Sequence, residues 1–157
     1  MNNFIFENST KVFFGKGCVK EYLSCWAGKF GERVLLAYGG CSIKKNGIYE
    51  EVTSILEKAG KTVIEFSGIM ANPTYEKVLE GAKIARENEV DWILGIGGGS
   101  VMDCCKAVSL AAISKKDIWK EYALGDSTNL SVNFEKPDIH ALSVADRWRK
   151  YITNIFE

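Results

Sequence analysis

Short apolar runs alternate with amphipathic segments along the chain, and this alternation constrains the fold more than any other feature. The runs cover residues 33–38 (RVLLAY), 62–66 (TVIEF) and 91–96 (DWILGI), and each precedes a segment with apolar residues at helical spacing. A strand that is apolar throughout is buried on both faces, as in a parallel sheet covered by helices. Right-handed crossovers between such strands give a doubly wound layer. The sequence therefore predicts an α/β fold with a doubly wound, mostly parallel sheet.

The remaining segments predict the helices and the two ends of the chain. Helices are expected over residues 16–30, 46–59, 74–88 and 101–113. Two β-prone runs at 4–6 and 11–14 predict an N-terminal β-hairpin. The pattern stops after about residue 123, although residues 143–156 again have apolar side chains at helical spacing. We therefore expect a domain over residues 1–123 and a divergent tail over 124–157 with a terminal helix at 143–156. Trp92 and Trp119 are expected in the core.

The charge balance excludes several classes of function. Among the 157 residues, 20 Lys and Arg offset 20 Asp and Glu. Nucleic-acid binding requires a basic excess, so nucleic acid is not expected as a partner. The apolar runs fall far short of the roughly 18 residues of a membrane span, and the N-terminus lacks the order of a signal peptide. We expect a cytoplasmic protein with no membrane partner.

The histidine and cysteine counts bear on metal binding and on thiol chemistry. His140 is the single histidine, whereas catalytic zinc or iron sites usually take two or three imidazoles from the protein. A histidine-rich metal centre within this chain is therefore excluded by count. The five cysteines show no CxxC spacing and are expected as small buried side chains. The alternative is a reactive thiol at Cys41 or Cys104, each near a glycine-rich turn.

A glycine-rich turn follows the third apolar run. Residues 95–100 read GIGGGS, which meets neither the GxGxxG fingerprint nor the phosphate-loop pattern. Three glycines before a helix nevertheless let the backbone approach an anion at the positive end of the helix dipole. We therefore interpret Gly97, Gly98, Gly99 and Ser100 as a phosphate-binding turn, in which Ser100 could also cap the helix. The alternative is a tight turn that binds nothing.

Another glycine-rich turn follows the first apolar run, and it is called the first glycine turn because it comes earlier in the chain. Gly39 and Gly40 precede Ser42 and two lysines, at a position where NAD-binding folds often carry an acidic side chain. The lysines would attract a 2′-phosphate, which favours NADP(H) over NAD(H). The alternative is a solvated turn. Farther along the chain, Asp103 follows the other glycine turn and either binds the nucleotide or only favours the helix dipole, and Lys106 could pair with it.

Four segments together resemble one known family. They are FFGKG (13–17), VLLAYGGCSIKKNG (34–47), ANPT (71–74) and GIGGGSVMDCCKA (95–107). Their order and spacing are similar to the N-terminal half of iron-containing (group III) alcohol dehydrogenases, closest to the NADPH-dependent butanol dehydrogenase-like branch. The resemblance covers about residues 3–122. Glycerol-1-phosphate dehydrogenase and dehydroquinate synthase share a similar fold and glycine motif, and they are the alternative family.

The resemblance implies a Rossmann-like nucleotide-binding domain and a role for each matching residue. It implies that Gly97, Gly98, Gly99 and Ser100 hold the pyrophosphate, with Asp103 towards the nicotinamide. By the same resemblance, Asn72 faces the cofactor, while Gly39, Gly40 and Ser42 border the adenosine ribose and its 2′-phosphate. Full-length relatives are expected to act on a small aldehyde or alcohol, to use iron or zinc, and to form homodimers through the N-terminal hairpin.

Residues 125–157 depart from the family pattern. They resemble neither the loop that completes the cofactor cleft nor the metal-binding Asp and His residues that follow it in relatives, so the helical metal-binding domain is expected to be absent. No catalytic residue and no metal ligand is assigned in this chain. We expect a truncated chain, the cofactor-binding portion of an NADP(H)-dependent aldehyde/alcohol oxidoreductase, inactive by itself. The alternatives are a stand-alone nucleotide-binding module and a non-functional fragment.

Overall fold

One six-stranded mixed sheet organises the chain. The computed structural model describes residues 11–114, 117–119, 140–144 and 151–155. The strands are β1 (Lys11–Gly15), β2 (Arg33–Tyr38), β3 (Thr62–Phe66), β4 (Trp92–Ile96), β5 (His140–Val144) and β6 (Tyr151–Ile155). Their order in the sheet is β1-β6-β5-β4-β2-β3. The four strands β5, β4, β2 and β3 are parallel, whereas β6 runs antiparallel to both β5 and β1.

Five helices connect or flank the strands in the described part of the chain. They are α1 (Cys18–Ala27), α2 (Ser42–Lys45), α3 (Ile48–Lys58), α4 (Tyr75–Glu87) and α5 (Gly99–Ile113). Thr74 caps α4 by accepting a hydrogen bond from the Lys77 amide, because its hydroxyl satisfies a donor that has no partner within the helix. Gly47, with φ of 78°, separates α2 from α3, so the helix predicted from residue 46 begins two residues later. None of the helices in these residues is both long and apolar enough to cross a bilayer.

The central strands are buried on both faces, which confirms the doubly wound α/β prediction. On β2, Val34, Leu36 and Tyr38 pack with α1 and α3, while Leu35 and Ala37 face the cluster formed by α4 and α5. The same alternation continues on β4. Successive side chains of a strand point to opposite faces, so a continuous apolar run fills two cores at once.

Trp92 is the largest fully buried side chain of the described core. Its ring stacks on Phe30 with 5.0 Å between centroids, and its indole N–H donates to the carbonyl of Gly31 at 3.2 Å. The core prediction is therefore confirmed for Trp92. For Trp119 it is wrong, because that side chain lies after α5, is 52% exposed and contacts mainly the ring of Tyr75.

The helix predicted for residues 143–156 is also wrong. The backbone forms strands β5 and β6 there, with β5 paired to β4 and β6 between β5 and β1. An unpaired edge of β4 would expose a row of backbone donors and acceptors, and pairing with β5 satisfies them. This long-range pairing overrides local helical spacing. The strand predicted at 4–6 lies outside the described residues, and the domain boundary at 123 remains a prediction.

We expect Trp92→Ala to lower the free energy of unfolding by about 3–5 kcal/mol, because it leaves a cavity between β4 and α1. The matched change Trp119→Ala should cost at most about 1 kcal/mol, since that ring is half exposed. Urea denaturation of the two variants measures the difference. Equal losses would contradict the placement of Trp92 in the core.

Candidate functional site

A crevice opens where β2 and β4 end. The chain leaves β2 towards α2 and α3 on one face of the sheet, and it leaves β4 towards α5 on the other face. Neighbouring parallel strands whose connections diverge in this way form a crevice at their carboxyl ends, where ligands of open α/β sheets bind. The cleft has a volume of about 370 Å³ and is lined by Gly39, Gly40, Ser42 and Ile43 and by residues 69–71 and 96–101.

The structure brings together most of the residues predicted from the sequence. The lining residues among them are Gly39, Gly40, Ser42, Gly97, Gly98, Gly99 and Ser100. Asn72 is not among the lining residues, but it follows Ala71, which is, and it adopts a positive φ of 53°. Asp103 lies farther along α5, where its exposed carboxylate pairs with Lys106 at 3.3 Å. The two predicted turns therefore form one cleft, with Asn72 and Asp103 outside its lining.

The segment at 69–71 forms the third wall of the cleft, although no sequence pattern predicted it. The Gly68 amide donates to the Gly39 carbonyl at 2.9 Å, and the Ile69 amide donates to the Tyr38 carbonyl at 3.2 Å. These bonds hold the loop after β3 against the first glycine turn. The position of this loop could have predicted the wall, because the loop also follows the carboxyl end of a parallel strand.

The start of α5 presents backbone donors to the cleft. Gly98 is the N-cap residue, and no side chain caps this end, so the cap suggested for Ser100 is not formed. The amides of Val101 and Met102 donate to the Gly98 carbonyl. The amides of Gly99 and Ser100 precede them in the first turn, where an α-helix provides no internal acceptor. Together with the helix dipole, this end favours a bound anion.

The glycines of the cleft fall into two groups. A Cβ atom on Gly97 would lie 2.5 Å from Cγ2 of Val101, so packing favours glycine there. One on Gly39 would lie 3.0 Å from the Ile69 carbonyl, which leaves little room. A Cβ atom on Gly40, Gly98 or Gly99 would meet nothing within 4 Å. Gly98 has φ of −87°, which any residue adopts. Neither packing nor a left-handed backbone therefore requires glycine at these three positions, whereas a ligand close to the backbone would.

A cluster of four polar side chains stands beside the first turn. The hydroxyls of Tyr38 and Tyr49 both donate to the carboxylate of Glu65, the former at 2.5 Å. The ammonium of Lys44 lies 3.3 Å from the same carboxylate and 4.4 Å from the centroid of the Tyr49 ring. The lysine predicted to attract a 2′-phosphate is thus paired with Glu65.

Hydrogen bonding fixes the charges of this cluster. The bonds from Tyr38 and Tyr49 lower the pKa of Glu65, because they favour its ionised form. The bond to Glu65 raises the pKa of Tyr49 to about 12. Burial, followed by the bond to Glu65, raises the pKa of Tyr38, and the bond with Tyr38 is the main cause that raises the pKa of Lys44. Near neutral pH, Glu65 is a carboxylate, Lys44 is an ammonium and both phenols are neutral.

The cysteines and acidic residues form no second site in the described residues. Burial raises the pKa of Cys104, which disfavours the thiolate that a reactive cysteine needs. Cys41 is exposed at the start of α2. Within residues 11–114 and the three short described segments after them, no three His, Cys, Asp or Glu side chains converge as metal ligands.

We expect Gly97→Ala to lower the free energy of unfolding by about 1–3 kcal/mol, because its Cβ atom would overlap Val101. Gly40→Ala should change it by no more than about 0.5 kcal/mol, since its Cβ atom would meet nothing. Thermal and urea denaturation of the two variants provide the comparison. A loss at Gly40 as large as that at Gly97 would show that packing requires both glycines.

Comparisons with known proteins agree on one family. The family model of iron-containing alcohol dehydrogenases matches residues 9–141, beyond the end of the sequence resemblance at about residue 122. A probable NADH-dependent butanol dehydrogenase 2 of Bacillus subtilis is 39% identical over 156 residues, which is 94% of this chain and 40% of that relative. The NADPH-dependent aldehyde reductase YqhD of Escherichia coli is 41% identical over 115 residues, which is 71% of this chain and 28% of that relative.

A solved structure supports the same assignment. The NADH-dependent butanol dehydrogenase A of Thermotoga maritima matches with a TM-score of 0.68 and 43% identity, over 76% of this chain and 30% of that one. This chain thus spans less than half the length of the relatives it matches. Because the family model covers well over half of its residues, the chain belongs to the iron-containing alcohol dehydrogenase family.

Proposed function

We propose that this chain is the NADP(H)-binding part of an oxidoreductase that interconverts an aldehyde and an alcohol. The observation that carries the proposal is the group of three glycines, Gly40, Gly98 and Gly99, that line the cleft although neither packing nor backbone conformation requires them. A nucleotide backbone that approaches the main chain closely explains glycine at all three positions.

The start of α5 would hold the pyrophosphate. Its amides and the Ser100 hydroxyl are the donors at this end of the cleft, and the helix dipole favours the negative charge. We assign the adenosine side to Gly39, Gly40 and Ser42 on the opposite wall. Along α5 from the pyrophosphate, Asp103 would lie towards the nicotinamide, and Asn72 would flank the third wall.

The composition of the lining supports NADP(H) over NAD(H). A nucleotide fold that selects NAD commonly places a carboxylate on the ribose hydroxyls, and none of the lining residues is acidic. Ser42 supplies a hydroxyl, and the exposed Lys45 adds positive charge near the same wall. The names of similar proteins include NADH-dependent and NADPH-dependent members, so the preference is this chain's own property to measure.

The described residues do not fit a metal site. The family name implies iron, but the sequence has one histidine and no cluster of ligands converges in the part of the chain that the structure describes. We therefore assign no metal ligand in these residues. The bound nicotinamide would supply the hydride chemistry, and the chain's residues would bind and orient it.

Two exposed apolar side chains on β1 support self-association. Val12 and Phe14 are 56% and 59% exposed and lie on the same face of the strand. We propose that this face contributes to a homodimer, as the family resemblance suggests for the N-terminal hairpin.

Calorimetric titration with NADP⁺ should show saturable binding, tighter than the binding of NAD⁺. Gly98→Val should weaken NADP⁺ binding at least about tenfold, because its side chain would occupy the space of the pyrophosphate. Gly28→Ala is the matched control, since Gly28 ends α1 with φ of −65° and its Cβ atom would make only ordinary contacts. Equal affinity of all three proteins would place the nucleotide elsewhere.

We expect the 157-residue chain to show no aldehyde-dependent oxidation of NADPH, because its single histidine cannot supply the two or three imidazoles that a catalytic metal site usually takes from the protein. The measurement is NADPH absorbance with butanal, with and without a chelator. Aldehyde-dependent turnover that the chelator abolishes would refute this expectation, and nucleotide binding without turnover would agree with a binding part.

A further inference from the structure

The cluster beside the cleft contains one positive and one negative charge close to the expected 2′-phosphate position. Lys44 directly follows Ser42 and Ile43, which line the cleft, and its ammonium lies 3.3 Å from the Glu65 carboxylate. Each side chain of the pair is 43% exposed, so the pair is partly solvated. The position of Lys44 next to two lining residues is the reason to expect that both charges act on an anion bound at the first glycine turn.

The two tyrosines hold this pair in place. Tyr38 is buried at the end of β2, Tyr49 lies in the first turn of α3, and each donates its hydroxyl to a different oxygen of Glu65. The ammonium of Lys44 stacks 4.4 Å from the Tyr49 ring centroid and 5.5 Å from that of Tyr38. A cation over an aromatic face is attracted to it, so the carboxylate and the two rings together fix the lysine.

A fixed pair of opposite charges has a weak field at the distance of a neighbouring ligand. The Glu65 carboxylate offsets the attraction that Lys44 would otherwise exert on a dianionic 2′-phosphate. NAD(H) carries a hydroxyl in place of that phosphate and experiences neither effect strongly. The difference between the two nucleotides is therefore the quantity that the pair controls.

We infer that Glu65 is a specificity-determining residue, which limits the preference for NADP(H) over NAD(H) by compensating the charge of Lys44. The inference rests on the proposed function, because it presupposes that a nicotinamide nucleotide occupies the cleft. Glu65 is not among the residues that line the cleft, and it would act through Lys44. Removal of the Glu65 carboxylate should strengthen the preference for NADP(H), and removal of the Lys44 ammonium should weaken it. Removal of both charges should restore the original preference.

The test is a double-mutant cycle in which the ratio of the NAD⁺ to the NADP⁺ dissociation constant is measured by calorimetry in the full chain. Glu65→Gln should raise this ratio about fivefold, and Lys44→Gln should lower it by a similar factor, as one unit charge near a phosphate does in a solvated site. The double variant should return to within about twofold of the original ratio. In 1 M salt, where the screening length is about 3 Å, the shifts should largely vanish.

Glu87→Gln is the matched control, because it also removes one carboxylate from an exposed ion pair, with Lys83 at 3.8 Å, in the last turn of α4. It should leave the ratio unchanged. Thermal denaturation tests whether each variant folds. If Glu65→Gln proves unstable, Lys44→Gln still tests the inference, because it changes an exposed side chain. An unchanged or lowered ratio in Glu65→Gln, or an unchanged ratio in Lys44→Gln, would overturn the inference alone. Absence of binding by both nucleotides in the unaltered chain would overturn the proposed function and the inference with it.

Discussion

β2 and β4 hydrogen-bond side by side at the centre of the sheet, and the rest of the structure depends on this pairing. Both strands are buried on both faces, so each contributes side chains to the cluster with α1 and α3 and to the cluster with α4 and α5. Their connections leave towards opposite faces, which keeps any helix from covering the ends of both strands. The cleft is therefore a consequence of the topology, and the glycine turns decide what it can hold.

The two roles of glycine in the cleft separate folding from function. Gly97 and Gly39 allow close packing against Val101 and the Ile69 carbonyl, so the packing of this chain favours glycine there whether or not a ligand is bound. Packing does not require glycine at Gly98 or Gly40, because a Cβ atom there would meet nothing within 4 Å. A glycine that the fold does not require costs conformational entropy without compensation unless something else occupies the space. This difference, rather than the number of glycines, supports a nucleotide in the cleft.

The sequence predicted the parts of the fold that local chemistry determines. β2 and β3 have the predicted bounds, and in β2 a continuous run of apolar residues determines them. Thr74 marks the start of α4 because its hydroxyl caps the helix. Prediction failed where a distant partner decides the outcome. The segment at 143–156 has helical spacing, but β4 offers an edge that only a strand can pair with. The third wall of the cleft also escaped prediction, because its position depends on hydrogen bonds with the end of β2.

The charge beside the cleft also depends on a residue that is distant in the sequence, so it could not be predicted from the turn alone. Lys44 lies in α2, just after the first glycine turn, and from the sequence alone it predicts a site for a 2′-phosphate. Its partner Glu65 is 21 positions away in the sequence. The parallel register places Glu65 opposite Leu36, on the face of the sheet where Tyr38 and α3 also lie. A shift of the register by one residue would turn Glu65 to the other face and leave Lys44 without its carboxylate. The pairing of β2 with β3 therefore decides whether Lys44 has a carboxylate partner, which the residues of the turn alone do not show.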